Sequence, residues 1–128
     1  MSLEDKRARK AAREEARKAE LDKLEEEALD LEEAWEAKGK KTGVDFEVVT
    51  TAVGNFLVTK PDMVTAKRFQ DKEDQTTEDV FQFVSPCVAF PDQMVARATF
   101  QEHGGLTWVL AAKLMKLYQA SIKDLGKK

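Results

Sequence analysis

Cys87 and His103, the single cysteine and the single histidine of the chain, could in principle act together as a nucleophile and its base. A thiol becomes a good nucleophile when a neighbouring imidazole removes its proton. Cys87, however, lies in an apolar run typical of a helix, where cysteine is usually a small buried hydrophobe. His103 precedes Gly104-Gly105 at the predicted end of a helix, where a positive charge suits the helix dipole. Structural roles are therefore favoured for both residues.

Other catalytic and ligand-binding patterns are also weak. A metal site with two histidine ligands cannot form within one chain that has a single histidine. No serine, histidine and aspartate are arranged as a catalytic triad. The string Gly39-Lys40-Lys41-Thr42 resembles part of a phosphate-binding loop, but it lacks that motif's first glycine and preceding strand. We therefore expect a protein that is not an enzyme and binds neither a cofactor nor a metal ion.

Charge is distributed unevenly along the chain. Residues 1–20 carry 7 Lys/Arg and 5 Asp/Glu, residues 21–40 carry 3 and 8, and residues 41–128 carry 11 and 11. The basic tip could touch phosphates, but Glu14, Glu15 and Glu20 dilute its cations. A dedicated nucleic-acid-binding protein has a stronger basic stripe. We therefore do not expect nucleic acid as a main partner, and contact through this tip remains the alternative.

The composition also bears on compartment. One cysteine cannot form an intramolecular disulfide, which fits a reducing environment. No stretch approaches the roughly 18 apolar residues that span a bilayer. The N-terminus has Lys and Arg without the apolar run of a secretory signal. We therefore predict a cytoplasmic protein with no membrane contact.

Residues 3–38 are predicted to form one long helix, because Ala, Glu, Lys and Arg dominate and no Gly or Pro interrupts them. Its second half carries apolar residues at alternating steps of three and four, which is the pattern of a heptad seam. The seam could pack on the chain's own domain, or it could bind another chain, including a second copy. Its residues are Leu21, Leu24, Ala28, Leu31 and Trp35.

The remaining residues are predicted to form a small domain. We place a charged helical arm at 1–40 and a globular domain at 41–128, which begins with a β-hairpin over 44–59. About four short helices follow, over 61–72, 80–90, 91–103 and 106–125. Pro86 predicts a kink or break near Ser85 in the second of them. The fold class is mainly α, of the α+β type.

The last helix is apolar on two sides. Leu106, Val109, Leu110, Leu114, Leu117 and Ile122 are expected to form its core face. Trp108, Ala111, Met115 and Tyr118 form the second side. Such a helix is either central in the core or partly covered by a partner. The candidate partner-binding residues are therefore Leu21, Leu24, Leu31 and Trp35 on the arm, and Trp108, Met115 and Tyr118 on the last helix.

Residues from about 34 to 122 resemble the small tail assembly chaperones of long-tailed, siphovirus-like bacteriophages. The resemblance lies in Ala34-Trp35-Glu36-Ala37-Lys38 before a Gly/Lys turn and a hairpin, then in Lys60-Pro61 leading to Thr65-Ala66-Lys67-Arg68-Phe69. It continues in Cys87-Val88-Ala89-Phe90-Pro91-Asp92, and in Gly105-Leu106 before a final apolar helix. The chain departs from similar proteins at Pro86 and Gly104 and in its long charged arm.

The resemblance implies a non-enzymatic role in the cytoplasm of a phage-infected host. Such chaperones bind the long helical tape-measure protein, help to recruit tail-tube subunits and are absent from the finished virion. The expected partners are therefore a tape-measure protein, a tail-tube protein and a second copy of the chain. The alternative is a small dimeric regulatory or structural protein that has a helical arm and contacts nucleic acid through its basic tip.

Overall fold

The part of the chain that the structure describes contains five α-helices and a three-stranded antiparallel sheet, in agreement with the predicted fold class. The computed structural model describes residues 2–126, so the last two residues of the predicted domain 41–128 lie outside the described part. The elements in chain order are α1 (Leu3–Glu36), β1 (Phe46–Thr51), β2 (Gly54–Thr59), α2 (Met63–Asp71), α3 (Thr77–Val84), β3 (Val88–Phe90), α4 (Gln93–Glu102) and α5 (Gly104–Gly126).

Short polar side chains begin most of the helices. Ser2, Asp62, Thr76 and Asp92 occupy the N-cap positions of α1 to α4, and each accepts a hydrogen bond from a backbone N–H of the first turn. Thr76 forms a reciprocal capping box with Asp79. These contacts satisfy backbone donors that the helix itself leaves free. They explain why α1 to α4 each begin directly after a Ser, Asp or Thr.

The predicted hairpin is present, and the sheet has one strand more than predicted. β1 and β2 pair in antiparallel fashion from Phe46↔Thr59 to Thr51↔Gly54, around a two-residue turn. β3 pairs with the other edge of β2, through Leu57↔Phe90 and Val58↔Val88. The sheet order is therefore β1-β2-β3.

The third strand corrects the prediction of a helix over 80–90. α3 ends at Val84, and Ser85–Cys87 form a single 3₁₀ turn before β3. A break near Ser85 was expected, because Pro86 has no N–H and its ring clashes with the preceding helical turn. The chain does not resume the helix after this break, since the apolar residues of β3 pair instead with the open edge of β2.

The sheet separates the molecule into layers. Asn55 and Phe46 lie on one face of the hairpin and contact α1. Val49, Phe56 and Val58 lie on the other face, in the core that includes α3, α4 and α5. Successive side chains in a strand point to opposite faces. Because four consecutive residues of β2 are buried, both of its faces are covered. The order of layers is α1, sheet, then the remaining helices.

Candidate partner-binding surfaces

The arm seam faces the chain's own sheet over most of its length. Leu24, Leu31 and Trp35 are half-buried, while Leu21 is 56% exposed. The Trp35 ring packs on Phe46 with 5.5 Å between ring centroids, and the Lys38 ammonium lies 5.0 Å from the Trp35 centroid. For Leu24, Leu31 and Trp35, the hairpin therefore occupies much of the surface that another chain would need.

Asn55 anchors the arm to the hairpin. Its amide donates to the Leu24 carbonyl oxygen at 2.8 Å and to Glu27 Oε1 at 2.9 Å, and its own Oδ1 accepts from Thr50 Oγ1 at 2.7 Å. Only 3% of Asn55 is exposed. A buried amide that bonds to two elements fixes their relative position, because moving them apart would leave buried polar groups without hydrogen bonds and would destabilise the fold. All of residues 3–20, by contrast, are exposed.

The side of α1 that points away from the sheet is acidic. Its residues follow one helical stripe at intervals of three and four, with Leu29 at the centre and carboxylates around it. Leu29 is 59% exposed. None of these carboxylates forms an ion pair within the part of the chain that the structure describes. We call this stripe the acidic face of α1; it consists of Asp22, Glu25, Glu26, Leu29, Glu33 and Glu36.

The core face of α5 differs from the predicted one. Leu110, Leu114 and Leu117 are buried as expected, but Val109 and Ile122 are 50% and 53% exposed. Thr107 and Ala111 take part in the buried side instead. The buried side of α5 therefore keeps the predicted leucines, includes Thr107 and Ala111, and excludes Val109 and Ile122.

The three candidate residues of α5 differ in exposure. Trp108 is 43% exposed, whereas Met115 is half-buried and packs against the core cluster. Tyr118 is half-buried on the opposite side of Met115 from Trp108 in helical rotation. Trp108 alone of the three therefore offers a large free surface.

A basic and apolar stripe covers the exposed side of α5. Lys116 and Lys123 are exposed along it, and none of its residues is acidic. The nearest acid on the helix, Asp124, is paired with Lys41 at 3.5 Å. We call this stripe the outer face of α5; it consists of Trp108, Val109, Ala112, Lys116, Gln119 and Lys123, with Ile122 at its border.

Sequence patterns indicate these two faces only weakly. Val109 and Ile122 fit the leucine periodicity of α5 well enough to be assigned to the core. Leu29 lies outside the heptad seam of the arm, so the seam pattern does not point to it. The better signal is the position of lysines on α5 and carboxylates on α1, because charged side chains mark the exposed side of a helix.

Cys87 and His103 lie in different environments. Burial, together with the Asp62 carboxylate, raises the pKa of the Cys87 thiol to about 11. Its Sγ lies 3.7 Å from the carbonyl oxygen of Phe83. His103 is exposed at the C-cap of α4. The thiol of Cys87 is therefore protonated at neutral pH, and it is not poised as a nucleophile.

A cleft of about 250 Å³ lies between α2 and α3. The Phe69 and Phe83 rings stack at 4.2 Å between centroids along it, and Lys72 Nζ bonds Asp79 Oδ1 at 2.7 Å. The cleft is shallow, and these contacts hold α2 against α3. Within residues 2–126 there is no cluster of His, Cys, Asp and Glu that could hold a metal ion. No described helix has the length and apolar character to cross a membrane.

Comparisons with known proteins give no match. No family model matches the chain. Searches of curated proteins and of solved structures likewise find none. What the chain binds is therefore inferred from its surfaces and from the resemblance of its sequence.

Proposed function

We propose that the protein is a tail assembly chaperone of a long-tailed bacteriophage. It binds the tape-measure protein and helps to recruit tail-tube subunits, without catalysis, in the host cytoplasm, and it is absent from the finished virion. The sequence resemblance over residues from about 34 to 122 supports this proposal. The surfaces of the chain add a physical reason for it.

The exposure of apolar side chains on the outer face of α5 is the observation that carries the proposal. A chaperone needs apolar surface that is free in the absence of its client, and Trp108, Val109 and Ile122 provide it next to the solvated Lys116 and Lys123. Partly exposed tryptophan is a frequent anchor in protein interfaces. A helix with an apolar stripe and acidic flanks is the complement of such a surface. Segments of this kind in the tape-measure protein are the proposed ligands.

An affinity capture from phage-producing host cells, followed by mass spectrometry, tests the proposal. The wild-type chain should capture one very long helical protein, with or without a tube protein. The double variant Val109→Glu/Ile122→Glu should capture at least about tenfold less, because it would bury two charges against an apolar partner. Val64→Glu/Met94→Glu is the matched control, since Val64 and Met94 are 61% and 83% exposed on other helices.

Two results would overturn the proposal. Equal capture by the variant and its control would remove the outer face of α5 from the interaction. Capture of nothing except the chain itself, or of nucleic acid that salt removes, would favour the small regulatory or structural protein. In that case the basic tip of α1 would be the binding site, and affinity would fall steeply with salt concentration.

A further inference from the structure

The acidic face of α1 costs stability in the isolated chain. Asp22 and Glu26 are four residues apart, and Glu33 and Glu36 are three apart, so like charges are neighbours on the helix surface. No cation of the described chain pairs with them. Leu29 adds an exposed apolar side chain at the centre of this stripe. A basic surface with apolar side chains would relieve both costs.

The outer face of α5 has these properties. Lys116 and Lys123 supply positive charge, and Trp108 and Val109 supply apolar surface. With a rise of 1.5 Å per residue, the α5 stripe from 108 to 123 is about 22 Å long, and the acidic stripe from 22 to 36 is about 21 Å long. The two stripes therefore match in length, opposite charge and apolar content. Neither stripe alone would identify a partner, but each is the complement of the other.

We propose that the outer face of α5 in one copy of the chain binds the acidic face of α1 in a second copy. Leu29 packs among Trp108, Val109 and Ala112, which brings the Lys116 ammonium group within reach of Glu33 or of Glu26, according to the relative direction of the two helices. Lys123 adds positive charge at the end of this contact. This contact is independent of the proposed chaperone function, because it needs only the chain itself.

The layered fold determines the form of the assembly. α1 covers one side of the sheet and α5 packs on the other, so the acidic face of α1 and the outer face of α5 belong to opposite layers of the molecule. Two copies that make this contact once cannot make it a second time with each other. The contact is therefore heterologous, and its repetition builds rings or open chains of subunits. A closed twofold dimer is not expected from this surface.

Analytical ultracentrifugation of the purified full chain, over a range of concentration and salt, tests the proposal. The wild type should sediment as a mixture of monomer and larger species, and added salt should shift it toward monomer. The variants Lys116→Glu/Lys123→Glu and Glu26→Lys/Glu33→Lys should each weaken self-association by about tenfold or more, because attraction becomes repulsion at one face.

Mixing the two variants gives the decisive measurement. The first retains an acidic α1 and the second retains a basic α5, so these wild-type faces can pair between the variants. The reversed faces are also complementary, and the mixture should assemble like the wild type. Lys67→Glu/Arg97→Glu is the control for net charge, because both residues are exposed on other helices. Circular dichroism checks that every variant is folded.

Three results would each overturn the proposal: a wild type that is monomeric at all concentrations, variants that assemble as well as the control, or variants that stay apart when mixed. A wild type that forms only a dimer would also contradict it, since the two faces cannot pair reciprocally. None of these outcomes depends on a tape-measure protein. Failure here is therefore distinguishable from failure of the chaperone proposal.

Discussion

The Asp79 side chain links the end of α2 to the start of α3. Its carboxylate accepts hydrogen bonds from the Lys72 ammonium at 2.7 Å and from the backbone N–H and hydroxyl of Thr76 at 2.9 Å each. The bond from Lys72, and then the bonds from Thr76, lower the pKa of Asp79 from 3.8 to about 2. The ionised carboxylate is thus part of the start of α3 and of its contact with α2.

The depressed pKa of Asp79 predicts how stability depends on pH. A carboxylate with a lower pKa in the folded state stabilises the fold above its unfolded pKa, and it loses this effect as pH falls through the folded pKa. Stability should therefore decrease from pH 3.8 toward about 2. Thermal unfolding followed by circular dichroism should show a steeper decrease in this window for the wild type than for Asp79→Asn. Parallel curves for the two proteins would contradict the assigned role.

Sequence patterns predicted those helices and strands whose conformation depends on local interactions. The long helix, the presence of a hairpin and the break near Ser85 follow from helix propensity, β-rich runs and proline geometry. β3 could not be predicted in this way, because three residues carry too little periodicity to distinguish a strand from a helix. Its conformation depends on the free edge of β2, which is a tertiary contact.

The candidate surfaces were harder to predict than the elements. Helical periodicity identified the buried side of α5 but not its limits, because Val109, which was assigned to that side, is 50% exposed. The arm seam was identified from its spacing. Whether it packs on its own sheet depends on the face of the hairpin that carries Phe46 and Asn55, which contact α1. Both questions concern the packing of one element against another, which residue spacing and composition do not determine.

The two halves of α1 should differ in their contribution to stability. Deletion of residues 1–20 should change the free energy of unfolding by less than about 0.5 kcal/mol, because residues 3–20 are exposed and pack on nothing. Asn55→Ala in the intact chain should cost about 1–3 kcal/mol, since it leaves the buried contacts to Leu24 and Glu27 unmade. Urea denaturation measures both changes. A large loss on deletion would show that the tip packs on the domain.

The whole molecule presents one surface for two proposed occupants. A second copy would use the outer face of α5 through an arm that is acidic around Leu29. The tape-measure protein would use the same face through an acidic amphipathic helix. Because both occupants need the apolar surface around Trp108, they exclude each other. The assembled chain would then protect its own apolar surface until the client displaces the neighbouring arm.

Competition of this kind predicts that two variants, both weakened in self-association, differ in how much client they capture. Trp108→Ala should weaken self-association and client capture together, by about tenfold or more each, because both occupants lose the same anchor. Glu26→Lys/Glu33→Lys should weaken self-association only, and client capture should stay equal or increase, since the competing arm no longer binds. Ultracentrifugation and affinity capture on the same preparations measure both quantities, with thermal unfolding as the check on folding. If the arm variant also lost the client, α1 itself would contact the client, and the two occupants would not compete for α5 alone.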